Sequence, residues 1–368
     1  MIVIGLGVMG SATAWQLARR GLSVLGLDQF EAGHERGSSH GRARVIRRVY
    51  GEGEIYMPLL ERADALWDGM EAESGRTFLH RTGGLDIGPA SSALVSNAAA
   101  TAQSHGVTHE RLSAAGIMAR FPALNLPDHY EGIYAPDSGM LLSDAINTWL
   151  RETAVADGAD LRWQTPVLGW RRDGQAYRAE TAAGEFAAHR LVIAAGAWAG
   201  CLLPELDHVL AIERQVVAWY DPAAELGDLP VFQVEPEDGI RPYIMPPLSG
   251  DGLKIGVYGH LGQRGAEMRD GFPPGADDDA HLRSSLDRWL PGMAGATQLM
   301  KECRFTRTYD DRFIIGTLPR DPGVVLLSPC SGHGYKFAPA IGEAAADLVT
   351  GEELRIDLTP FSVERVLQ

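Results

Sequence analysis

The run Gly5-Leu-Gly7-Val-Met-Gly10 constrains this chain more than any other feature, because of what flanks it. Met1 to Ile4 is apolar; Ser11 to Arg20 has helical periodicity that stops at Gly21; Ser23 to Asp28 reads as a second strand. A strand, a glycine turn, a helix and a second strand closed by an acidic residue form the opening of a dinucleotide-binding βαβ unit. Glycines let the backbone turn sharply and approach a pyrophosphate, whose charge then faces the N–H groups and positive dipole end of the helix. Gly5, Gly7, Val8, Met9 and Gly10 are therefore candidates for a phosphate cradle, and Asp28 for the ribose hydroxyls. The motif alone does not choose between a flavin and a nicotinamide dinucleotide.

With 368 residues, 45% hydrophobic and 22% charged, the chain is globular in composition and long enough for two connected domains. A net charge of −15, with no basic block to offset it locally, argues against a nucleic-acid partner. The longest uncharged apolar stretch, Leu191 to Leu203, falls short of the roughly 20 residues that span a bilayer. The first residues lack the basic segment of a signal peptide, so a cytoplasmic protein with no membrane contact is expected. Cys201, Cys303 and Cys330 are too few and too scattered for a disulfide framework or a zinc site, and no metal is expected.

Further along, Leu191 to Trp198, with Ala195 and Gly196 in its small-residue turn, reads as a buried strand entering a turn. A hairpin region around Asp173-Gly174 and Ala183-Gly184 precedes it. Between Val209 and Lys301, short alternating runs such as Gln215 to Tyr220 and Leu253 to Tyr258 predict an antiparallel sheet. Val324 to Leu327 and a helix from about Lys336 to Val349, stopped by Gly351, revert to β-turn-α. The expected class is α/β (α+β): a Rossmann-like βαβ domain of residues 1–84, 141–208 and 305–368, and a discontinuous antiparallel-sheet substrate domain of residues 85–140 and 209–304.

The stretch Gly37-Ser-Ser-His40-Gly-Arg-Ala-Arg44-Val-Ile-Arg47-Arg-Val-Tyr50-Gly-Glu52-Gly closely resembles the monomeric sarcosine oxidase and N-methyltryptophan oxidase family. Leu253-Lys254-Ile-Gly, Lys301-Glu-Cys303-Arg-Phe305-Thr306 and Cys330-Ser-Gly332-His333-Gly334-Tyr-Lys336-Phe agree with it, in the family's order and with near-family spacing along the whole chain. The resemblance, rather than the composition, implies FAD. It further implies a monomer that oxidises the C–N bond of a small secondary amino acid such as sarcosine. Hydride passes to flavin and electrons then pass to oxygen, giving hydrogen peroxide.

Residue by residue, the resemblance places Cys303 as the cysteine bonded to the flavin 8α carbon, with Arg304 or Lys301 able to favour the thiolate. A single cysteine is otherwise most often a small buried hydrophobe, which is how Cys330 is read. Arg47 and Lys336 match the pair that holds the substrate carboxylate, a role suited to a guanidinium fork and an ammonium. Lys254 matches the lysine that assists oxygen electrostatically. Gly332, His333 and Gly334 match the turn that feeds the last helix toward the flavin's pyrimidine edge. Ser38 and Arg44 fall in the arginine-rich motif beside the ring, with Glu52 available to pair with Arg44, and Tyr243 matches a pocket tyrosine.

The chain departs from the pattern around the amine. Where sarcosine-type members place a histidine four residues after the lysine, this chain has Tyr258, then Gly259 and His260, so either Tyr258 or His260 is a candidate there. Phe305 and Ala43 replace a tyrosine and a threonine. Two other readings stay open: an oxidase of a cyclic imino acid (a pipecolate or piperideine carboxylate) or of a glycated amino acid, and a flavin-binding protein without turnover or a dehydrogenase with a protein acceptor.

Overall fold

The computed structural model describes residues 1–248 and 250–367. Its first sheet has six strands in the order Ile314–Leu318, Asp321–Ser328, Leu191–Ile193, Ile2–Ile4, Leu25–Leu27, Asp160–Arg162. All neighbours run parallel except the Ile314–Leu318 edge. Strands only three residues long, such as Ile-Val-Ile and Leu-Val-Ile, hold this position because both faces are covered, so every side chain is apolar. Helices Val8–Ala18, Ser143–Ala156 and Ala338–Thr350 pack together over one face. The last ends at Gly351 with φ +74, as its glycine predicts.

The first helix begins at Val8, three residues earlier than the periodicity suggests, so Gly10 lies inside it. A Cβ on Gly10 would collide with the Gly5 carbonyl, which fixes how closely helix and turn can approach.

The second sheet has eight strands, in the order Ala294–Arg307, Ala211–Pro222, Leu253–Val257, Pro242–Met245, Val231–Val234, Gly84–Pro89, Tyr130–Ala135, Glu110–Ser113. It is antiparallel except where Val231–Val234 meets Gly84–Pro89. Helix Ala276–Trp289 packs on it and supplies Leu282, Leu286 and Trp289 to its core. The strand Ala294–Arg307 runs uninterrupted past residue 304. The hairpins expected near Gly174 and Gly184 appear as the meander Val167–Asp173, Ala176–Thr181, Gly184–Ala188. Among the described residues, no helix is long and apolar enough to cross a membrane.

Candidate active site

One cavity of about 530 Å³ lies where the two large sheets meet the segment Gly33–Gly41. On the nucleotide side, Gly5 takes φ +90, and a Cβ there would stand 2.5 Å from the Ala194 oxygen, so only glycine fits. Asp28 ends the second strand: one carboxylate oxygen accepts the Leu6 N–H at 2.7 Å and the other that of Phe30 at 3.0 Å. Gly5, Gly7, Val8, Met9, Asp28, Ser38, Ala195 and Gly196 all line the cavity; Gly10 does not, being occupied with Gly5.

The segment Gly33–Gly41 forms an outer wall. Arg44 holds it from inside, donating to the carbonyls of Ser38 (2.8 Å) and His40 and to that of Ala43 (3.0 Å). Lys254 donates to the carbonyls of Gly41 and Ala43, each at 2.8 Å, and its ammonium lies 4.7 Å from the centre of the Trp219 ring. Burial, reinforced by Arg44, pushes Lys254 well below the ordinary lysine range. His40 is buried within this wall with neither ring nitrogen partnered among the described residues, and burial takes it down to about 3, so it is a neutral imidazole. Ser38 donates to the Arg304 carbonyl.

Cys303 lines the cavity from the strand Ala294–Arg307. Burial pushes its thiol up to about 11, and the cations that act against that are Arg44 and Lys254. Neither cation that the sequence suggested is turned toward it. Arg304 donates to the carbonyls of Met268, Arg269 and Arg36, and Lys301 pairs with Glu35. Cys330 also lines the cavity, its sulfur 3.3 Å from the Thr306 N–H.

Lys336 is 4% exposed and donates to the His333 carbonyl at 2.7 Å and to the Tyr50 hydroxyl at 3.4 Å. Burial, then repulsion from Arg47, lowers it to about 7. Arg47 is not free. One end of its guanidinium faces Asp86 at 3.1 Å and the other Glu52 at 2.5 Å. Glu52 pairs with Arg47 and stands 3.7 Å from Arg241, so the pairing with Arg44 suggested by the sequence is not formed. Tyr50 lies between the cations, with Arg47 5.3 Å and Lys336 5.1 Å from its ring centre, and its hydroxyl is 2.8 Å from Nδ1 of His333. Burial takes His333 down to about 3, again a neutral ring.

Tyr243 and Tyr258 line the same cavity with ring centres 5.2 Å apart, and Arg241 stacks 5.2 Å over Tyr258. His260 does not reach it. Gly259, in the left-handed region at φ +70, turns the chain away, and His260 is buried with Nε2 2.7 Å from Asp278, the residue that also pairs with Arg214. Gly332 (φ +83), His333 and Gly334 line the cavity; a Cβ on Gly332 would press into the rings of Phe305 and Tyr258.

Sequence reading missed Asp86, Glu52 as a partner of Arg47, Arg241 and Tyr50. A signal existed for Asp86: a carboxylate in the middle of Gly84-Leu-Asp-Ile-Gly88, an otherwise apolar strand, has to be paired.

The donor set fits a flavin dinucleotide. The glycine turn admits a pyrophosphate against the backbone, two cations flank a buried thiol, and an imidazole with two orphaned nitrogens faces the space between.

A family model described as FAD dependent oxidoreductase matches residues 1–348. N-methyl-L-tryptophan oxidases of Salmonella heidelberg (strain SL476) and Citrobacter koseri are each 38% identical over 374 residues, covering 100% of this chain and 99% of theirs. Among solved structures, NikD, an unusual amino acid oxidase essential for nikkomycin biosynthesis, superposes with TM-score 0.86 at 25% identity, covering 98% of this chain and 96% of that one. Glycine oxidase from Geobacillus kaustophilus shares the fold, with TM-score 0.79 at 21% identity and coverage of 98% and 97%.

Proposed function

Because this chain belongs to the FAD dependent oxidoreductase family, we propose that it is an oxidase of N-methyl amino acids that uses oxygen as acceptor. FAD would be held by the glycine turn, Asp28, Ser38, Ala195, Gly196 and the Gly332–Gly334 turn, with Cys303 as its covalent anchor. The bound flavin supplies the two-electron acceptor for the carbon beside the substrate nitrogen and returns the electrons to oxygen.

The chain's own residues bind and orient. Lys336 and Arg47 take the substrate carboxylate, with Arg47 aimed by Asp86 and Glu52. Tyr243, Tyr258 and Phe305 exclude water around the reacting carbon. Arg44 holds the Gly33–Gly41 wall, and Lys254 places a donor where negative charge would develop. His260 stays outside the site, held by Asp278.

The observation that carries this reading is the single cavity that joins the glycine turn to Cys303, Lys254, Arg47 and Lys336. The experiment is oxygen uptake and peroxide release with N-methyl-L-tryptophan, sarcosine and a cyclic imino acid, run beside the absorption of acid-precipitated protein. Peroxide with an N-methyl amino acid, and yellow protein that Cys303→Ser renders colourless, are expected. Freely washed flavin in the wild type removes the anchor assignment, and peroxide with the cyclic imino acid alone removes the substrate assignment.

A further inference from the structure

Resting on that reading, the geometry points to a second role for Lys336, as the acceptor of the proton that the substrate's ammonium gives up to become the reactive amine. Three parts of the chain face Lys336. From the segment after strand Arg44–Ile46 come Arg47, Tyr50 and Glu52; from strand Gly84–Pro89 comes Asp86; from the turn before the last helix comes His333. Both carboxylates are spent on Arg47, and Glu52 also answers Arg241. The imidazole of His333 is neutral and turned to Tyr50 and the Asp311 carbonyl. Among the described residues Lys336 hydrogen-bonds only a carbonyl and a hydroxyl and has no carboxylate within 4 Å, and it stands near Arg47. A buried lysine so placed favours its neutral amine, and burial indeed lowers it to about 7.

An amino acid arrives as a zwitterion, with a carboxylate that an ammonium on Lys336 would pair and an ammonium that blocks oxidation. Moving one proton settles both. One N–H bond breaks on the substrate nitrogen and one forms on Nζ of Lys336; the substrate keeps a lone pair, and the new ammonium meets the carboxylate. No proton is exchanged with solvent and no electron moves.

The test is the proton inventory of binding to the holoenzyme, by calorimetry at about pH 8.5 in two buffers of different ionisation enthalpy. Propionate has the carboxylate and no amine, so wild type should take up about one proton per molecule bound. 2-Aminoisobutyrate, whose amine-bearing carbon has no hydrogen to lose, brings its own proton and should exchange none. In Lys336→Arg, whose charge is permanent, propionate uptake should vanish. Propionate binding to wild type without uptake, while N-methyl amino acids still yield peroxide, overturns this assignment alone. If neither probe binds and no N-methyl amino acid reduces the flavin, the proposed function falls with it. The wild-type inventory decides even if the arginine variant does not fold.

Discussion

Replacing Lys336 with methionine should make the protein more stable at neutral pH, and the size of the effect follows from its burial. The ordinary lysine value is 10.5 and Lys336 sits at about 7 in the folded chain. The unfolded chain therefore binds more protons between these values, and folding is penalised by 1.36 kcal/mol for each unit. The gap of about 3.5 units corresponds to a penalty of about 5 kcal/mol, full below pH 7 and gone above 10.5. Methionine has a similar length and no charge, and it forfeits the hydrogen bond to the His333 carbonyl, worth about 1 kcal/mol. The net gain near pH 7 should be about 4 kcal/mol, shrinking as pH rises. Urea unfolding midpoints of both apoproteins at about pH 6.5, 8 and 10 measure it. A methionine variant less stable at pH 6.5, or a difference independent of pH, would refute the reasoning, since it would mean that Lys336 is charged and satisfied in the folded chain.

Other substitutions read other parts of the site. Gly10→Ala should push the first helix off the Gly5 carbonyl and lower the flavin-to-protein absorbance ratio of purified enzyme several-fold; an unchanged ratio would show that the turn can yield. Asp86→Ala leaves Arg47 paired with Glu52 alone and should cost about 1–3 kcal/mol in chemical unfolding, because one end of the buried guanidinium and the Gln233 amide lose their acceptor. Asp86→Asn, which keeps the shape, should instead show mainly as a raised KM. His260→Phe should lower stability by about 1–3 kcal/mol through the lost Asp278 contact while KM stays within about twofold, and a KM shift of tenfold or more would put His260 back in the substrate site.

The parts of the site legible in the sequence were those built on backbone rules. Gly5 was visible as the turn between strand and helix, and Asp28 because it closes a short buried strand, whereas Gly332 was placed by resemblance. Lys254, Arg47, Lys336 and Cys303 were placed by resemblance, and the cavity gathers them. What the sequence could not show is who answers each charge. Asp86 meets Arg47 from a strand of the second sheet, 39 positions away, a pairing that no local spacing in the sequence encodes. His260 went astray for a local reason, since the left-handed turn at Gly259 is one residue that no periodicity registers. The cations beside Cys303 were sought among its neighbours in sequence, whereas Arg304 falls on the opposite face of the strand and Lys301, on the same face, is taken up by Glu35.

The wall Gly33–Gly41 is fastened at several points: by Ser38 to the Arg304 carbonyl, by Arg44 from within, by the 2.8 Å bond from Asn147 to the Ser39 carbonyl, and by Lys254 on Gly41. These fasteners come from four separate stretches of the chain, so swinging the wall open requires that all of them be broken. The rate at which apoprotein becomes holoenzyme should therefore level off as FAD concentration rises, at the frequency with which this gate unlatches. With Cys303 bonded to the flavin as proposed, that bond rather than the wall would keep the cofactor in place, so the wall governs how fast holoenzyme forms and not how long it lasts.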